Sequence, residues 1–211
     1  LSTGAFNALL KTLEEPPGYA IVLLITNNLS SILETIQSRC VMLQTKPVEK
    51  DSIKAYLMSE HQIPDYQAEL SAIFSQGNVG KAINYASSEE FIETKDDILN
   101  ILKHIDEKEN YELIEFSNNI AKEKDNVLNV MDLILLWYRD LLMYKVTKNP
   151  NLLLYKKEIS YISKIANIIS YEGIQDILKS IEEAKTKIEA NVNTETTLQL
   201  MLFKIKENSN D

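Results

Sequence analysis

Arginine is almost missing from this chain: of 22 basic side chains only Arg39 and Arg139 are arginine, and the rest are lysine. Cysteine is scarcer still. The single Cys40 excludes an internal disulfide and any multi-cysteine zinc site, which fits a reducing compartment. The two histidines, His61 and His104, stand in no His/Cys spacing that a metal requires, so both read as surface or packing residues and no metal is expected. Only five glycines and five prolines interrupt 211 residues, which leaves long stretches free to be helix and argues against a turn-rich all-β fold. No apolar run approaches the roughly 18 to 20 residues of a membrane span, and no charged-then-apolar leader is seen. A cytoplasmic protein without a membrane partner is the expectation.

The charge is lopsided in the other direction. With 31 acidic against 22 basic side chains the formal charge is −9, which disfavours a main role as a nucleic-acid grip. At 45% hydrophobic residues the chain can bury a substantial core, in one large domain or two to three small ones.

Residues Thr3 to Glu15 carry apolar side chains at Ala5, Phe6, Leu9, Leu10 and Leu13, a helical spacing stopped by Pro16-Pro17-Gly18. Ala20 to Ile25 is then apolar without alternation and rich in β-branched residues, as a strand buried on both faces would be. Cys40 to Leu43 reads as a second, shorter one. Between them, Ser31 followed three places later by Glu34 has the form of a capping box. Two such strands cannot shield themselves, so the pattern implies the C-terminal part of a larger α/β domain that begins before residue 1.

After Lys46-Pro47 the pattern becomes helical, with Ile53, Tyr56 and Leu57 on one face and Leu70, Ile73 and Phe74 on another. Gly77 reads as a helix stop, and Asn78 as the cap of a third helix ending near Ala86. From Thr94 onward five helical patterns follow. Val127 to Val146 is apolar nearly all round and reads as the central helix of a bundle. Lys204 to Asp211 reads as a frayed tail. The expected architecture is mainly α: residues 1–46 the end of an α/β domain, 47–90 a three-helix lid, and 91–211 a helical bundle.

No catalytic constellation emerges. Gly77-Asn78-Val79-Gly80-Lys81 has the wrong glycine spacing for a phosphate loop, lacks the Ser or Thr after lysine, and follows a helix instead of a strand. Glu14-Glu15 reads as solvated charge at a helix end. Arg39 stands apart, because a chain this committed to lysine keeps an arginine where a planar, bidentate fork has a use. On chemistry alone it is open between a structural salt bridge or cap and an outward-reaching phosphate contact.

Three segments carry a resemblance: Ala5-Phe6-Asn7-Ala8-Leu9-Leu10-Lys11-Thr12-Leu13-Glu14-Glu15-Pro16-Pro17, Leu23-Leu24-Ile25-Thr26-Asn27, and Thr35-Ile36-Gln37-Ser38-Arg39-Cys40. In order and spacing they closely resemble the clamp-loader branch of the AAA+ family, the subunits of bacterial DNA polymerase III clamp loaders. The resemblance runs over the whole chain, more weakly after Ala86. It implies that residues 91–211 form an oligomerisation collar and that Ser38, Arg39 and Cys40 enter the ATP site of an adjacent subunit, with Arg39 at the γ-phosphate. It also implies sensor-1-like roles for Thr26 and Asn27 and a sensor-2-like position at Lys81. The ATPase members usually carry arginine there, in Gly-Ser-x-Arg-Asp-Ala, so lysine points to a non-ATPase, stator-like member. The segments Trp137 to Leu142 and Ala190 to Asn193 resemble the collar of that member too. No cofactor is then expected on this chain, with ATP and Mg²⁺ at the neighbour. The implied partners are gamma/tau and delta subunits in a hetero-pentamer, and indirectly the sliding clamp and primer-template DNA. The P-loop, Walker B and cysteine-ligated zinc segments of the family are missing from these residues, and the ATPase member itself is the alternative reading.

Overall fold

The structure, a computed structural model, describes residues 3–26, 28–122 and 126–209. The chain divides into two compact units, residues 1–46 and 47–211.

In the first unit, α1 (Thr3–Glu14) ends ahead of Pro16-Pro17, as the sequence requires, and a four-residue α2 spans Glu34–Gln37. The two strands expected at 20–25 and 40–43 do not form; no β-strand exists among the described residues. A strand is made by its ladder partners, and the amides of residues 21–25 and 41–46 find none among the described residues. Their apolar side chains are accordingly uncovered, with Ile21 at 89% and Ile25 at 95% exposure. The capping box also fails. The residue before α2 is Leu33, with no side-chain cap, and Glu34 is the first helical residue instead of the third. Asn28 caps instead the 3₁₀ turn Leu29–Ser31, its Oδ1 accepting from the Ser30 N–H at 3.0 Å.

Among the described residues the second unit is all helix and loop. Helices α3 (Lys50–Glu60), α4 (Asp65–Phe74) and α5 (Val79–Ser87) enclose a small core of Ile53, Leu57, Ala68, Ala72, Ala82 and Ala86. The alanines let the helices approach closely. Gly77 ends the helical run with φ +84°, and a Cβ there would lie 2.5 Å from the Cβ of Pro47, so both backbone and space demand glycine. Asn78 caps α5 by accepting from the Lys81 N–H at 3.0 Å, as expected.

Among the described residues six α-helices follow: α6 (Glu89–Lys103), α7 (Asn110–Lys122), α8 (Val127–Thr147), α9 (Ile159–Ile168), α10 (Tyr171–Glu189) and α11 (Thr194–Asn208). The pattern of five missed α9, which is short but buries Ile162 and Ala166 completely. α8 is the central helix, as its all-round apolarity predicted, and α6, α7, α9 and α10 pack on it. Trp137, Met131, Ile134 and Leu141 have no accessible surface; each such side chain contributes roughly 1.5–3 kcal/mol by its burial. Residues 204–209 of the tail are not frayed as expected; residues 210–211 lie outside the described residues. α11 continues to Asn208, and Ile205, Asn208 and Ser209 are buried, because Ile205 extends the apolar row of Leu198, Met201 and Leu202 by one more turn. Among the described residues, no helix is long and apolar enough to cross a membrane.

Candidate functional site

Arg39 follows the last turn of α2. Ile36, completely buried, anchors that turn, and the Arg39 N–H continues it by donating to the Ile36 carbonyl at 3.0 Å. The Arg39 side chain bends to its own chain. Its Nε donates to Glu14 Oε1 at 2.8 Å, its Nη2 lies 2.6 Å from the same oxygen, and its Nη1 donates to the Thr35 carbonyl at 2.8 Å. The pair is accessible, with 37% of the arginine side chain exposed. Glu14 is therefore not the merely solvated charge that its place before two prolines suggested. It occupies one edge of the guanidinium, and N–H groups on Nη1 and Nη2 remain for another acceptor.

The flanking residues of the motif have smaller parts. The Ser38 hydroxyl donates to the Thr35 carbonyl at 3.2 Å, and Cys40 is an exposed free thiol.

Thr26 is linked to α2, the short helix just before Arg39, through a run of hydrogen bonds and the turn between them. The Thr26 hydroxyl donates to the Asn28 carbonyl at 2.9 Å and accepts from the Asn28 N–H at 3.0 Å. Asn28 caps the Leu29–Ser31 turn. Gln37 Nε2 then donates to the carbonyls of Leu29, at 3.2 Å, and Ile32, at 2.7 Å, which ties that turn to α2. Sequence reasoning passed over Gln37, whose amide links the turn to α2, the helix just before Arg39. The position next to Ser38-Arg39 was the available signal. Asn27 lies outside the described residues.

Lys81 belongs to the second unit and sits in an ion triad. Its Nζ and that of Lys185 on α10 each bond one oxygen of Asp132 on α8. Burial opposes the charge on Asp132, but the hydrogen bonds from Lys185 and Lys81 outweigh it and hold the carboxyl below its ordinary value. Beside it, the Tyr85 hydroxyl donates to Asn129 at 3.3 Å; burial, and then the Asp132 charge, push that phenol up to about 12. Lys81 is thus occupied by an anchoring role, and Gly77–Lys81 is a helix stop and cap. His61 ends α3 with its ring edge-on to Tyr56, and His104 lies 3.6 Å from Glu107.

Arg139, the second arginine, bonds Asp140 at 3.0 Å. Asp140 in turn accepts the backbone N–H groups of Leu154, at 2.7 Å, and Tyr155, at 2.8 Å, so this part of the Trp137–Leu142 segment organises the loop after α8.

Comparison with known proteins places these features in a family. Residues 1–49 match the family model described as DNA polymerase III, delta subunit, and residues 89–207 match DNA polymerase III, delta subunit, C terminal. The chain is 26% identical to DNA polymerase III subunit delta' of Bacillus subtilis (strain 168) over 210 residues, covering 98% of this chain and 63% of that protein. To DNA polymerase III subunit tau of the same organism it is 26% identical over 211 residues, covering 88% of this chain and 38% of the relative. To subunit tau/gamma of Haemophilus influenzae it is 42% identical over 67 residues, 30% of this chain and 10% of the relative. The chain thus spans less than two thirds of the length of these relatives. Because the C-terminal match alone covers more than half of the residues, and the delta' match nearly all of them, this chain belongs to the DNA polymerase III delta-subunit family of clamp-loader proteins.

Proposed function

We propose that the chain is part of a delta-prime-type subunit of a DNA polymerase III clamp loader, which hydrolyses no ATP itself and supplies Arg39 in trans to the ATP site of a neighbouring gamma/tau-type subunit. The observation that carries this reading is the state of Arg39: an exposed guanidinium at the end of a short helix, braced along one edge by Glu14, with N–H groups left for an anion. An arginine aimed at charge developing on a transferred phosphoryl group is worth orders of magnitude in rate, because its donors are set before the reaction begins. Lysine cannot substitute, since its point charge lacks the fork. Thr26, through Asn28 and Gln37, is suited to relay strain between the neighbouring loop and α2, and the helical bundle from residue 91 onward is assigned as the collar that holds the subunit among gamma/tau and delta partners.

The gamma/tau ATPase itself is the second reading, favoured by the 26% identity to tau over most of this chain. Against it stands Lys81, which is lysine where the ATPase members usually carry arginine and which is engaged with Asp132.

The test is Arg39→Ala in the full-length protein, reconstituted with gamma/tau and delta subunits of the same organism. Assembly by size-exclusion chromatography should be unchanged, and DNA-stimulated ATP hydrolysis should fall at least tenfold, a threshold set well below the roughly thousandfold or more that such an arginine supplies at its own site. Hydrolysis at the wild-type rate refutes the role. Nucleotide binding by the isolated full-length subunit would favour the ATPase reading.

A further inference from the structure

We propose that Glu14 is a positioning residue for Arg39, holding the guanidinium in the orientation in which it meets a neighbour's nucleotide; the proposal rests on the trans role of Arg39 given above. Glu14 is the last residue of α1, where a carboxylate is electrostatically misplaced, because the partial negative charge of the helix end repels it. A counter-ion relieves that, and Arg39, 25 residues away, is the one that arrives, with Nε at 2.8 Å and Nη2 at 2.6 Å from one oxygen. Arg39 is held a second time by the Thr35 carbonyl of α2 at 2.8 Å. The fork is therefore fixed between the C-terminal end of α1 and the short helix α2, by one carboxylate and one carbonyl. The single N–H of Nε is taken by Glu14, but Nη1 and Nη2 each keep one N–H beyond the bonds they make, and these two remain for another acceptor.

A free arginine side chain loses considerable rotamer freedom when it docks on phosphate, and bracing it beforehand removes part of that loss from the reaction. The negative charge of Glu14 works in the other direction by weakening the pull on phosphate. At an accessible pair that attraction is screened, so orientation decides the sign.

The experiment uses the full-length protein in the reconstituted loader, with ATP and primed DNA, and compares wild type, Glu14→Ala, Arg39→Ala and the double variant. Glu14→Ala is expected to lower kcat by about twofold to fivefold, the range of an exposed ion pair, with KM for ATP and complex assembly unchanged. In the Arg39→Ala background the same substitution should have no further effect, since Glu14 acts through Arg39. Glu14→Asp, which keeps the charge, should recover part of the loss. If Glu14→Ala does not assemble, Glu14→Gln replaces it in the same comparison. A kcat at or above wild type for Glu14→Ala, with Arg39→Ala impaired, overturns the brace and leaves the trans arginine intact. An equal loss in both backgrounds also overturns it, as it marks a structural role. No effect of Arg39→Ala removes the trans role and the brace together.

Discussion

Replacing Asp140 by alanine should destabilise the second unit by roughly 2–4 kcal/mol, although Asp140 touches no proposed partner surface. Its side chain has no exposure. One oxygen, Oδ2, accepts the N–H groups of both Leu154 and Tyr155, while Oδ1 accepts from Arg139. Those two amides belong to the loop that turns back after α8, where Lys148 takes the left-handed conformation with φ 53°. The loop delivers Leu153 and Tyr155 into the core, with the Tyr155 ring 4.9 Å from Phe74 and 5.6 Å from Trp137, and its hydroxyl donating to the Leu133 carbonyl at 2.9 Å. Alanine leaves both amides without an acceptor, at about 1–3 kcal/mol each, set against relief from burying a carboxylate. That burial is costly in itself: it pushes the Asp140 carboxyl up, despite the opposing bonds from Tyr155, Leu154 and Arg139. A raised folded value means that the folded state holds the extra proton, so Asp140 favours the folded state below the ordinary 3.8, and that advantage is lost as pH rises through the folded value. Asp140→Asn keeps one oxygen for both amides and should lose only about 1 kcal/mol. In urea unfolding followed by circular dichroism, with a slope of about 2 kcal/mol per molar, the alanine variant should unfold at a midpoint about 1–2 M lower. A shift equivalent to under about 0.5 kcal/mol for alanine would show that the loop is held by its side chains alone, and an asparagine variant as damaged as the alanine one would show that the carboxylate's charge, not the oxygen shared by the two amides, does the holding.

Gly77→Ala should cost at least about 2 kcal/mol in the same assay, since alanine must adopt a positive φ and clear Pro47; a neutral outcome would mean that the turn relaxes freely. Asp132, whose folded value is depressed, stabilises above its ordinary 3.8 and loses that contribution as pH falls through the lower folded value. Asp132→Asn should therefore flatten the acid limb of the stability curve, and an unchanged limb would exclude the triad as its cause. Amides of residues 21–25 and 41–46 should exchange with deuterium within seconds, and those at the centre of α8 last of all; protection of the former in the isolated chain would reveal backbone partners not seen in the structure.

Several elements were legible from residue order, for local reasons. Pro16-Pro17 must end α1, Gly77 and Asn78 carry the stop and the cap within a few residues, and the nearly all-round apolarity of Val127 to Val146 suits the centre of a bundle. The guanidinium of Arg39 could be singled out from composition, because a fork among lysines is conspicuous. The strands were read by the same kind of pattern, and there the reading failed. Apolar β-branched residues show what a segment would do beside partner strands, whereas a ladder exists only where another backbone supplies its other half. α9 was missed because ten residues between polar loops carry too few turns to stand out.

What residue order determined, then, is where helices start and stop and which of their faces are apolar, since both depend on interactions within a few residues. Tertiary structure alone decided that Glu14 meets Arg39, that Asp132 draws Lys81 and Lys185 together, and that Asp140 holds the amides of a loop more than ten residues away. Each of those is a charged group finding its counterpart across sequence separation, and the choice of counterpart is made by the packing of apolar faces that brings the two within reach.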